Sequence, residues 1–263
     1  MTGVDRTPQA VDFAALYDQH SEYAARRVAG SFEQAQVLLE ATEFKIPNLL
    51  GLLPAGKVLG SVMEIGCATG ELIGNFPVVS AGRRAGCDIS PANIEAASER
   101  FAHVEFYAGD FANLPAIQFE GVILSDVLEH VEDDAAFLQR AAKLGHFTLV
   151  NLPLEDNWLN DRRAYGPDDE SGHLRRYSLQ QGLDLFRRAG LTVLNHRQVW
   201  IHEVAVDLKR RELRRRHFSH GFTGSLPVRL TKQGILTVTR FVKPIGRRLF
   251  ASNLFAIATK GTG

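Results

Sequence analysis

Residues 62–70 read Val-Met-Glu-Ile-Gly-Cys-Ala-Thr-Gly, and this stretch decides the fold. Its first four residues are mostly apolar, which is typical of a buried strand. The spacing Gly66-x-Ala68-x-Gly70 predicts a turn of small residues whose backbone a ligand can approach closely. A second apolar segment ends at Asp88, eighteen residues after Gly70. A strand, a small-residue turn and an acidic residue at the end of the next strand together indicate a nucleotide-binding βαβ unit.

The spacing of the small residues distinguishes between two kinds of nucleotide site. A dinucleotide fold requires G-x-G-x-x-G, because the pyrophosphate lies on a helix N-terminus. Here the motif is E-x-G-x-A-x-G, from Glu64 to Gly70. It resembles the first motif of the class I S-adenosylmethionine (SAM)-dependent methyltransferases, although Ala68 replaces the middle glycine that is usual there. The resemblance implies that Glu64, Gly66, Cys67, Ala68 and Gly70 hold the methionine part of SAM.

Two further strand ends resemble the same family, in the order that the family has them. The segment Gly-Cys-Asp-Ile-Ser around Asp88 and Ile89 resembles the ribose-binding strand end. The resemblance implies that the Asp88 carboxylate accepts hydrogen bonds from both ribose hydroxyls. Asp110 and Phe111 resemble the adenine motif. There the Asp110 carboxylate would accept from the exocyclic amine, while the Phe111 backbone N–H faces a ring nitrogen.

The fourth motif and one earlier lysine complete the resemblance. Residues 125–131 read Ser-Asp-Val-Leu-Glu-His-Val, and they resemble the segment that lines the methyl-transfer cleft, beginning with Ser125. Lys45 lies on a predicted helix before the first strand. In relatives a basic residue at that place pairs with the SAM carboxylate, so the same role is expected of Lys45; a solvated lysine is the alternative.

The catalytic candidates follow from the chemistry that the resemblance implies. Methyl transfer from a sulfonium is an in-line displacement, in which the enzyme mainly aligns the acceptor, the methyl group and the sulfur. An acceptor hydroxyl also needs a general base near its proton. His130 and His173 are the candidate bases, with Glu129 as an orienting carboxylate. The His-then-Tyr-Ser sequence after His173 is common in the branch that resembles ubiquinone-biosynthesis O-methyltransferases.

A metal-dependent alternative rests on the same residues. Asp126-x-x-Glu129-His130 with the distant His173 resembles the set found in magnesium-assisted O-methyltransferases, including small-RNA 2′-O-methyltransferases. Two carboxylates and two imidazoles can bind a divalent ion such as Mg²⁺, which polarises an acceptor hydroxyl. The plainer interpretation is that Glu129 and His130 belong to a common fourth-motif sequence, with the histidine capping or packing.

The rest of the chain alternates between strand-like and helix-like segments. Such alternation predicts an α/β fold with a parallel sheet covered on both faces, and ligands bind beyond the carboxyl ends of its strands. The resemblance implies a Rossmann-like seven-stranded sheet that is mostly parallel, with an antiparallel last strand. The predicted strands are 61–65, 83–89, 104–108, 119–125, 146–151, 191–198 and 252–260; the predicted helices between them are 70–77, 91–101, 133–144 and 178–189.

Three parts of the chain are predicted. Residues 1–57 form an N-terminal helical lid, and residues 58–200 with 252–263 form the SAM-binding domain. Residues 201–251 form a basic insertion before the last strand. Side chains that could build an acceptor pocket are aromatic or basic: Phe13, Tyr17, Tyr23, Trp158, Arg162, Arg163, Tyr165, Arg175, Arg176 and the basic run 209–216.

The charge of the chain is distributed unevenly. The net charge is zero, yet residues 1–186 carry 14 Lys and Arg against 27 Asp and Glu, whereas residues 187–250 carry 15 against 3. This asymmetry predicts an anionic partner for the basic part, because arginine pairs well with phosphate and carboxylate. An acceptor that carries an anionic group is one candidate. For the basic run 209–216, a solvated helix face is the plainer interpretation, and contact with a membrane surface through 201–251 is the next. Nucleic acid ranks third, since no known RNA-binding module accompanies the charge.

Targeting signals and cysteines bear on the compartment. The chain has no apolar run near the about 20 residues of a membrane span, and its first residues lack a signal-peptide pattern. Cys67 and Cys87 are interpreted as buried thiols in a reducing cytoplasm. The sequence makes no prediction of the oligomeric state.

Taken together, these patterns predict a methyltransferase that moves the SAM methyl group to an oxygen or nitrogen of a small-molecule or glycan-type metabolite. Two alternatives stay open. The first is a metal-assisted RNA 2′-O-methyltransferase. The second is a non-catalytic SAM-binding scaffold protein on a membrane surface, although a non-catalytic module has no need of His130 or His173 as a base.

Overall fold

The structure is a computed structural model. It describes residue 18 and residues 21–114, 118–157, 160, 165–166, 169, 172–200, 225–239, 241–249 and 251–261. Its centre is a seven-stranded sheet in the order β3-β2-β1-β4-β5-β7-β6. The strands are β1 (Ser61–Ile65), β2 (Arg83–Asp88), β3 (Glu105–Ala108), β4 (Phe119–Ser125), β5 (Gly145–Pro153), β6 (Leu191–Trp200) and β7 (Ala251–Lys260).

The direction of the strands agrees with the predicted fold class. Strands β1 to β5 pair in parallel with their neighbours. Strand β7 runs antiparallel to both β5 and β6 and lies between them. The prediction of a mostly parallel Rossmann-like sheet with an antiparallel last strand is therefore confirmed.

Helices precede the sheet and connect its strands. Ser90 and Asp133 cap the helices that follow β2 and β4, each accepting a hydrogen bond from the backbone three residues later. The helices are α1 (Ser21–Arg27), α2 (Phe32–Glu40), a π-helical turn (Ala41–Lys45), α3 (Ile46–Leu50), α4 (Glu71–Asn75), α5 (Pro91–Arg100), a 3₁₀ turn (Phe111–Asn113), α6 (Asp134–Ala142), α7 (Leu179–Arg188), α8 (Leu226–Thr239) and α9 (Lys243–Leu249).

The central strands of the sheet are buried on both faces, which explains why they are apolar along most of their length. On β1, Val62 packs into one hydrophobic cluster and Met63 into another, because successive side chains of a strand point to opposite faces. The two predicted buried thiols, Cys67 and Cys87, likewise divide between the two clusters, and both are free.

The strand order reverses between β1 and β4, which opens a crevice at the carboxyl edge of the sheet. The loop after β1, the end of β2 and the end of β4 all face this crevice. The insertion also begins and ends at this edge, because Trp200 at the end of β6 pairs with Ala251 at the start of β7. The sheet thus gathers the predicted motifs and the ends of the insertion along one rim.

Several predicted acceptor-pocket residues lie outside the described residues. They are Phe13, Tyr17, Trp158, Arg162, Arg163 and the basic run 209–216. Among the described residues, no helix is long and apolar enough to cross a membrane. The domain boundaries and the cytoplasmic location stay predictions.

Candidate functional site

The loop after β1 depends on left-handed backbone conformations. Gly66 and Gly70 have φ of +74° and +84°, which suits glycine. A Cβ at Gly66 would lie 2.6 Å from the Val127 side chain, so there is no room for a side chain at this position. Ala68 adopts φ of +45°, a conformation that costs an alanine energy. The left-handed backbone conformation explains why glycine is usual at this place in the family. The loop keeps this conformation although the chain has alanine there.

The Asp88 carboxylate fastens this loop to the end of β2. Its Oδ2 accepts from the Ala68 backbone N–H at 2.8 Å, and its Oδ1 accepts from the Ser90 N–H at 2.9 Å. The Asn93 amide donates to the same Oδ1 at 3.3 Å. Burial raises the pKa of Asp88, against these hydrogen bonds. One lone pair, on Oδ2, stays available in this arrangement.

Glu64 lies beneath the loop rather than in it. Its carboxylate accepts from the Ile73 backbone N–H at 3.1 Å and so supports the first turn of α4. The side chain is buried, and burial raises its pKa to about 8 against the attraction of Lys45. The Glu64 side chain at the start of the motif is thus bonded to the helix that the loop enters.

The predicted adenine motif lies next to Asp88. The Gly109 N–H donates to the Asp88 backbone carbonyl at 2.8 Å, which joins the ends of β2 and β3. Asp110 caps the 3₁₀ turn through Oδ1, accepting from the Ala112 N–H at 2.9 Å. Phe111 is buried, whereas the Ile89 side chain is 41% exposed at the same rim.

A partly buried ion pair connects the helices before β1 with the end of β4. The Lys45 ammonium lies 2.8 Å from the Asp126 carboxylate. Asn151 donates to both Asp126 oxygens at 3.1 Å and to the Ser125 hydroxyl at 3.0 Å. Burial alone would raise the pKa of Asp126, but the Lys45 charge holds it below its usual range. Asp126 has φ of +56°, which turns its side chain toward Lys45.

A second group of polar side chains begins at Glu129, three residues after Asp126. Glu129, His130 and His173 bring one ligand atom each to within 4.8 Å of one another. Glu129 is 1% exposed, and neither of its carboxyl oxygens has a hydrogen-bond partner within the described part of the chain. Burial and the nearby Asp126 charge raise its pKa well above the usual value. Asp126 is absent from this group because it is turned toward Lys45.

Both histidines are oriented through Nδ1. His130 Nδ1 lies 3.0 Å from the Gly172 carbonyl, so that nitrogen carries the proton and Nε2 the lone pair. Burial and the neighbouring imidazole lower the pKa of His130 to about 4, which keeps it neutral. His173 Nδ1 lies 2.6 Å from the Glu155 carboxylate, and the two rings meet edge to face at 4.7 Å.

Glu155 was missed by the sequence analysis, which named Glu129 as the orienting carboxylate. Glu129 Oε1 is 3.7 Å from His130 Nε2, too far for a hydrogen bond, whereas Glu155 contacts His173 directly. The usable signal was position, since Glu155 follows β5 by two residues at the carboxyl edge.

The two described arginines of the acceptor loop are already paired. Arg175 lies 3.1 Å from Asp134 and donates to the Glu132 carbonyl at 2.6 Å. Arg176 lies 3.2 Å from Asp156. Both guanidinium groups therefore neutralise carboxylates of the chain, which weakens the case for them as receptors of an anionic acceptor.

The strand order of the sheet and the motifs at its strand ends are those of a class I methyltransferase fold. A family model for a methyltransferase domain matches residues 36–196, more than half of the chain, and the chain belongs to that family. This confirms the resemblance to class I SAM-dependent methyltransferases. No curated protein sequence matches the chain.

Solved structures with low sequence identity share the fold. A Haloferax volcanii protein described as a methyltransferase, in complex with the activator Trm112, is 16% identical with a TM-score of 0.60; the match covers 95% of this chain and 98% of that one. Magnesium protoporphyrin IX methyltransferase from Synechocystis PCC 6803, with bound SAM, is 15% identical with a TM-score of 0.54 over 97% and 100% of the chains.

A third structure extends beyond this chain. Phosphoethanolamine N-methyltransferase 2 of Haemonchus contortus, in complex with phosphomonomethylethanolamine and S-adenosylhomocysteine (SAH), is 15% identical with a TM-score of 0.60. The match covers 97% of this chain but only 61% of that one. At such identities the likeness establishes the shared fold and leaves the acceptor to be argued from the site.

Proposed function

We propose that this protein transfers the methyl group of SAM to an oxygen or nitrogen of a small-molecule or glycan-type metabolite. The observation that carries the proposal is the Glu155–His173 pair at the rim of a methyltransferase-family fold. A histidine fixed by a carboxylate through Nδ1 presents Nε2 as a base. A protein that only binds SAM would not need such a pair.

The cofactor half of the proposal rests on the loop of residues 66–70 and the acidic strand ends. The remaining lone pair of Asp88 Oδ2 would accept from a ribose hydroxyl. Asp110 has its second oxygen for the adenine amine, because only Oδ1 caps the 3₁₀ turn. The Lys45 ammonium has three donors, so it can bind the SAM carboxylate while it contacts Asp126.

The N-terminal residues 1–57 are proposed to act as the lid over this cofactor site. The Arg27 guanidinium donates to the Asn93 side chain at 3.1 Å, and the Ser90 hydroxyl bonds to the Asp18 carboxylate. These contacts connect the N-terminal helices with the residues that hold Asp88. They support a lid that packs over the ribose side of the cofactor.

In the proposed reaction, His173 Nε2 takes the acceptor proton as the acceptor attacks the methyl carbon in line with sulfur. Glu155 keeps the imidazole in the correct tautomer and stabilises the imidazolium that forms. A general base of this kind contributes roughly 10²–10⁴-fold to the rate. His130 is held neutral beside it and lines the same cleft.

Calorimetric titration with SAM, SAH and NAD⁺ tests the cofactor half. We expect micromolar binding of SAM and SAH and no heat with NAD⁺. Absence of SAM and SAH binding would overturn the methyltransferase proposal. If both bind, a screen of amine and hydroxyl acceptors that detects SAH production tests the catalytic half.

A second candidate function is metal-assisted methyl transfer, and one observation favours it. The buried Glu129 carboxyl has no partner in the described chain, and His130 and His173 lie beside it. Their Nδ1 atoms are held by a carbonyl and a carboxylate, as in many metal-binding histidines. Glu129, His130 and His173 would hold the ion, which would polarise an acceptor hydroxyl.

The donor set bears on which ion could bind. Two imidazoles and one carboxylate suit Zn²⁺, Fe²⁺ or Mn²⁺, whereas Mg²⁺ prefers oxygen ligands. Asp126 would have supplied the second carboxylate of the predicted magnesium set, but it is engaged with Lys45. Titration of Zn²⁺, Mn²⁺ and Mg²⁺ into the wild type and into Glu129→Gln tests this candidate without an activity assay. Equal heats for the two proteins would contradict it.

The remaining alternatives are separated by substrate. Metal-dependent activity on an RNA 3′ end would favour the RNA 2′-O-methyltransferase alternative. Absence of any methylated product, together with tight vesicle binding, would favour the scaffold alternative. Both outcomes can be read from the same preparation of the full chain.

A further inference from the structure

The helices α8 and α9 expose an unusual amount of apolar surface. Twelve large hydrophobic residues are exposed in the described chain, and half of them lie within residues 225–249. Phe241, between the two helices, is 86% exposed. Exposed apolar residues in such concentration mark an interaction surface. The six residues are Leu226, Leu230, Val238, Phe241, Val242 and Ile245.

These side chains surround an apolar groove between the helices. Its volume is about 380 Å³, and three of the exposed residues line it: Val238, Val242 and Ile245. The complete lining is Thr231, Gly234, Ile235, Val238, Val242 and Ile245. We call the exposed residues and this groove the apolar surface of α8 and α9.

The segment that carries this surface has formal charges of one sign in its sequence. Residues 225–250 contain six Lys and Arg and no Asp or Glu, although the chain as a whole is neutral. An apolar helical surface in a basic segment is the composition of elements that lie in the interface of an anionic bilayer. A protein partner would need a matching acidic and apolar face, whereas an anionic bilayer supplies both properties at once.

The position of the helices connects this surface with the site. Helix α9 leads directly into β7, whose first residue Ala251 accepts from the Asn157 amide at 2.9 Å. The Leu154 N–H donates to the Ser252 carbonyl at 2.7 Å, one residue before Glu155. The end of the insertion is therefore tied to the loop that holds the Glu155–His173 pair.

We propose that α8 and α9 dock this protein on an anionic lipid surface, with the apolar residues in the interface and the basic residues beside the lipid headgroups. The proposal does not depend on methyl transfer, because it concerns a surface outside the cofactor loop. It adds a peripheral membrane attachment at the rim that carries the candidate active site.

Vesicle flotation with the full chain tests the proposal. The vesicles are pure phosphatidylcholine or equal parts of phosphatidylcholine and phosphatidylglycerol. We expect binding to the second kind only, and weaker binding at high salt. Phe241→Ser should weaken it about tenfold through lost apolar burial. The triple change Lys243→Gln, Arg247→Gln and Arg248→Gln should weaken it about 100-fold, from about 1 kcal/mol per charge.

Val79→Ser is the matched control, because Val79 is an exposed apolar residue that precedes β2 at the opposite edge of the sheet. This variant should bind vesicles as the wild type does, and thermal melting should show all variants folded. Three outcomes would overturn the proposal: no binding to phosphatidylglycerol vesicles, equal binding by the Phe241 and control variants, or a wild-type dimer that Phe241→Ser dissociates without any vesicle binding.

Discussion

The cofactor side and the acceptor side of the rim differ in how their buried carboxyl groups are satisfied. Asp88 accepts three hydrogen bonds from the chain, and Asp126 pairs with Lys45 and Asn151. Glu129 is 1% exposed, and its carboxyl oxygens have no hydrogen-bond partner within the described residues. Within the described residues, the chain supplies hydrogen-bond partners for the carboxylates of the cofactor side and none for Glu129.

The energetic meaning of this difference is direct. An unsatisfied buried polar group costs about 1–3 kcal/mol, and more when it is charged. A buried carboxyl group with this energetic cost is suited to binding a group from outside the chain. Such a group is the hydroxyl or amine of a methyl acceptor, or a divalent cation. The comparison therefore predicts two kinds of effect. Substitutions on the cofactor side break hydrogen bonds within the chain, whereas substitutions on the acceptor side remove a group that is available to bind a ligand.

The largest expected effect is on the acceptor side. His173→Ala should lower kcat roughly 10²–10⁴-fold, since it removes the general base. SAH affinity, measured by calorimetry, should stay unchanged, because His173 does not hold the cofactor loop. A wild-type kcat in this variant would show that His173 is not the base.

Glu155→Gln provides a finer test of the same pair. The amide can still contact His173 but cannot stabilise the imidazolium, so kcat should fall while KM is kept. A wild-type kcat in Glu155→Gln would show that the carboxylate does not assist the base.

The next effect tests the cofactor side. Asp88→Ala should weaken SAH binding about 100-fold, because charge-assisted hydrogen bonds are worth about 1.5–3 kcal/mol and Asp88 also anchors the Ala68 N–H. Asp88→Asn, which keeps one acceptor oxygen, should bind with an intermediate affinity. Wild-type affinity in the alanine variant would show that the ribose assignment is wrong.

A stability effect should distinguish Glu129 from the satisfied carboxylates. The folded protein raises the pKa of Glu129 above its usual 4.5, so the native state binds the proton more tightly than the unfolded state. Stability from this group is therefore lost as pH rises above about 4.5. Glu129→Gln should be more stable than the wild type at pH 7, with a gain that shrinks toward pH 4. Urea unfolding in chelator measures this, and a pH-independent difference would contradict it.

The smallest effect concerns the strained loop. Ala68→Gly should stabilise the protein by about 0.5–1 kcal/mol, because glycine tolerates the left-handed conformation. Ala81→Gly is the matched control, since Ala81 has φ of +60° outside the site. Equal gains in melting temperature, with SAH affinity kept, would show that the strain has no role in binding. A loss of affinity in Ala68→Gly alone would show that it has one.

The parts of the site that could be predicted from sequence are those fixed by local geometry. The loop of residues 66–70, Asp88 and Asp110 lie where the strand ends required, because parallel strands bring their carboxyl ends to one edge. The Lys45–Asp126 and Glu155–His173 pairs could not be predicted. Each pair joins segments that are far apart in sequence. Lys45 lies in a π-helical turn, and Glu155 and His173 lie outside helices and strands. These irregular backbone conformations determine which side chains come into contact.

The place of β7 between β5 and β6 also governs how this protein can mature. Strand β7 lies between β5 and β6, so β6 cannot join the sheet until residues 251–260 have been synthesised. Until then β5 is an open edge of the sheet. The entire basic insertion is made during that interval. Completion of the sheet is thus coupled to synthesis of the insertion, and a ribosome that stalls within residues 201–250 would leave an aggregation-prone intermediate.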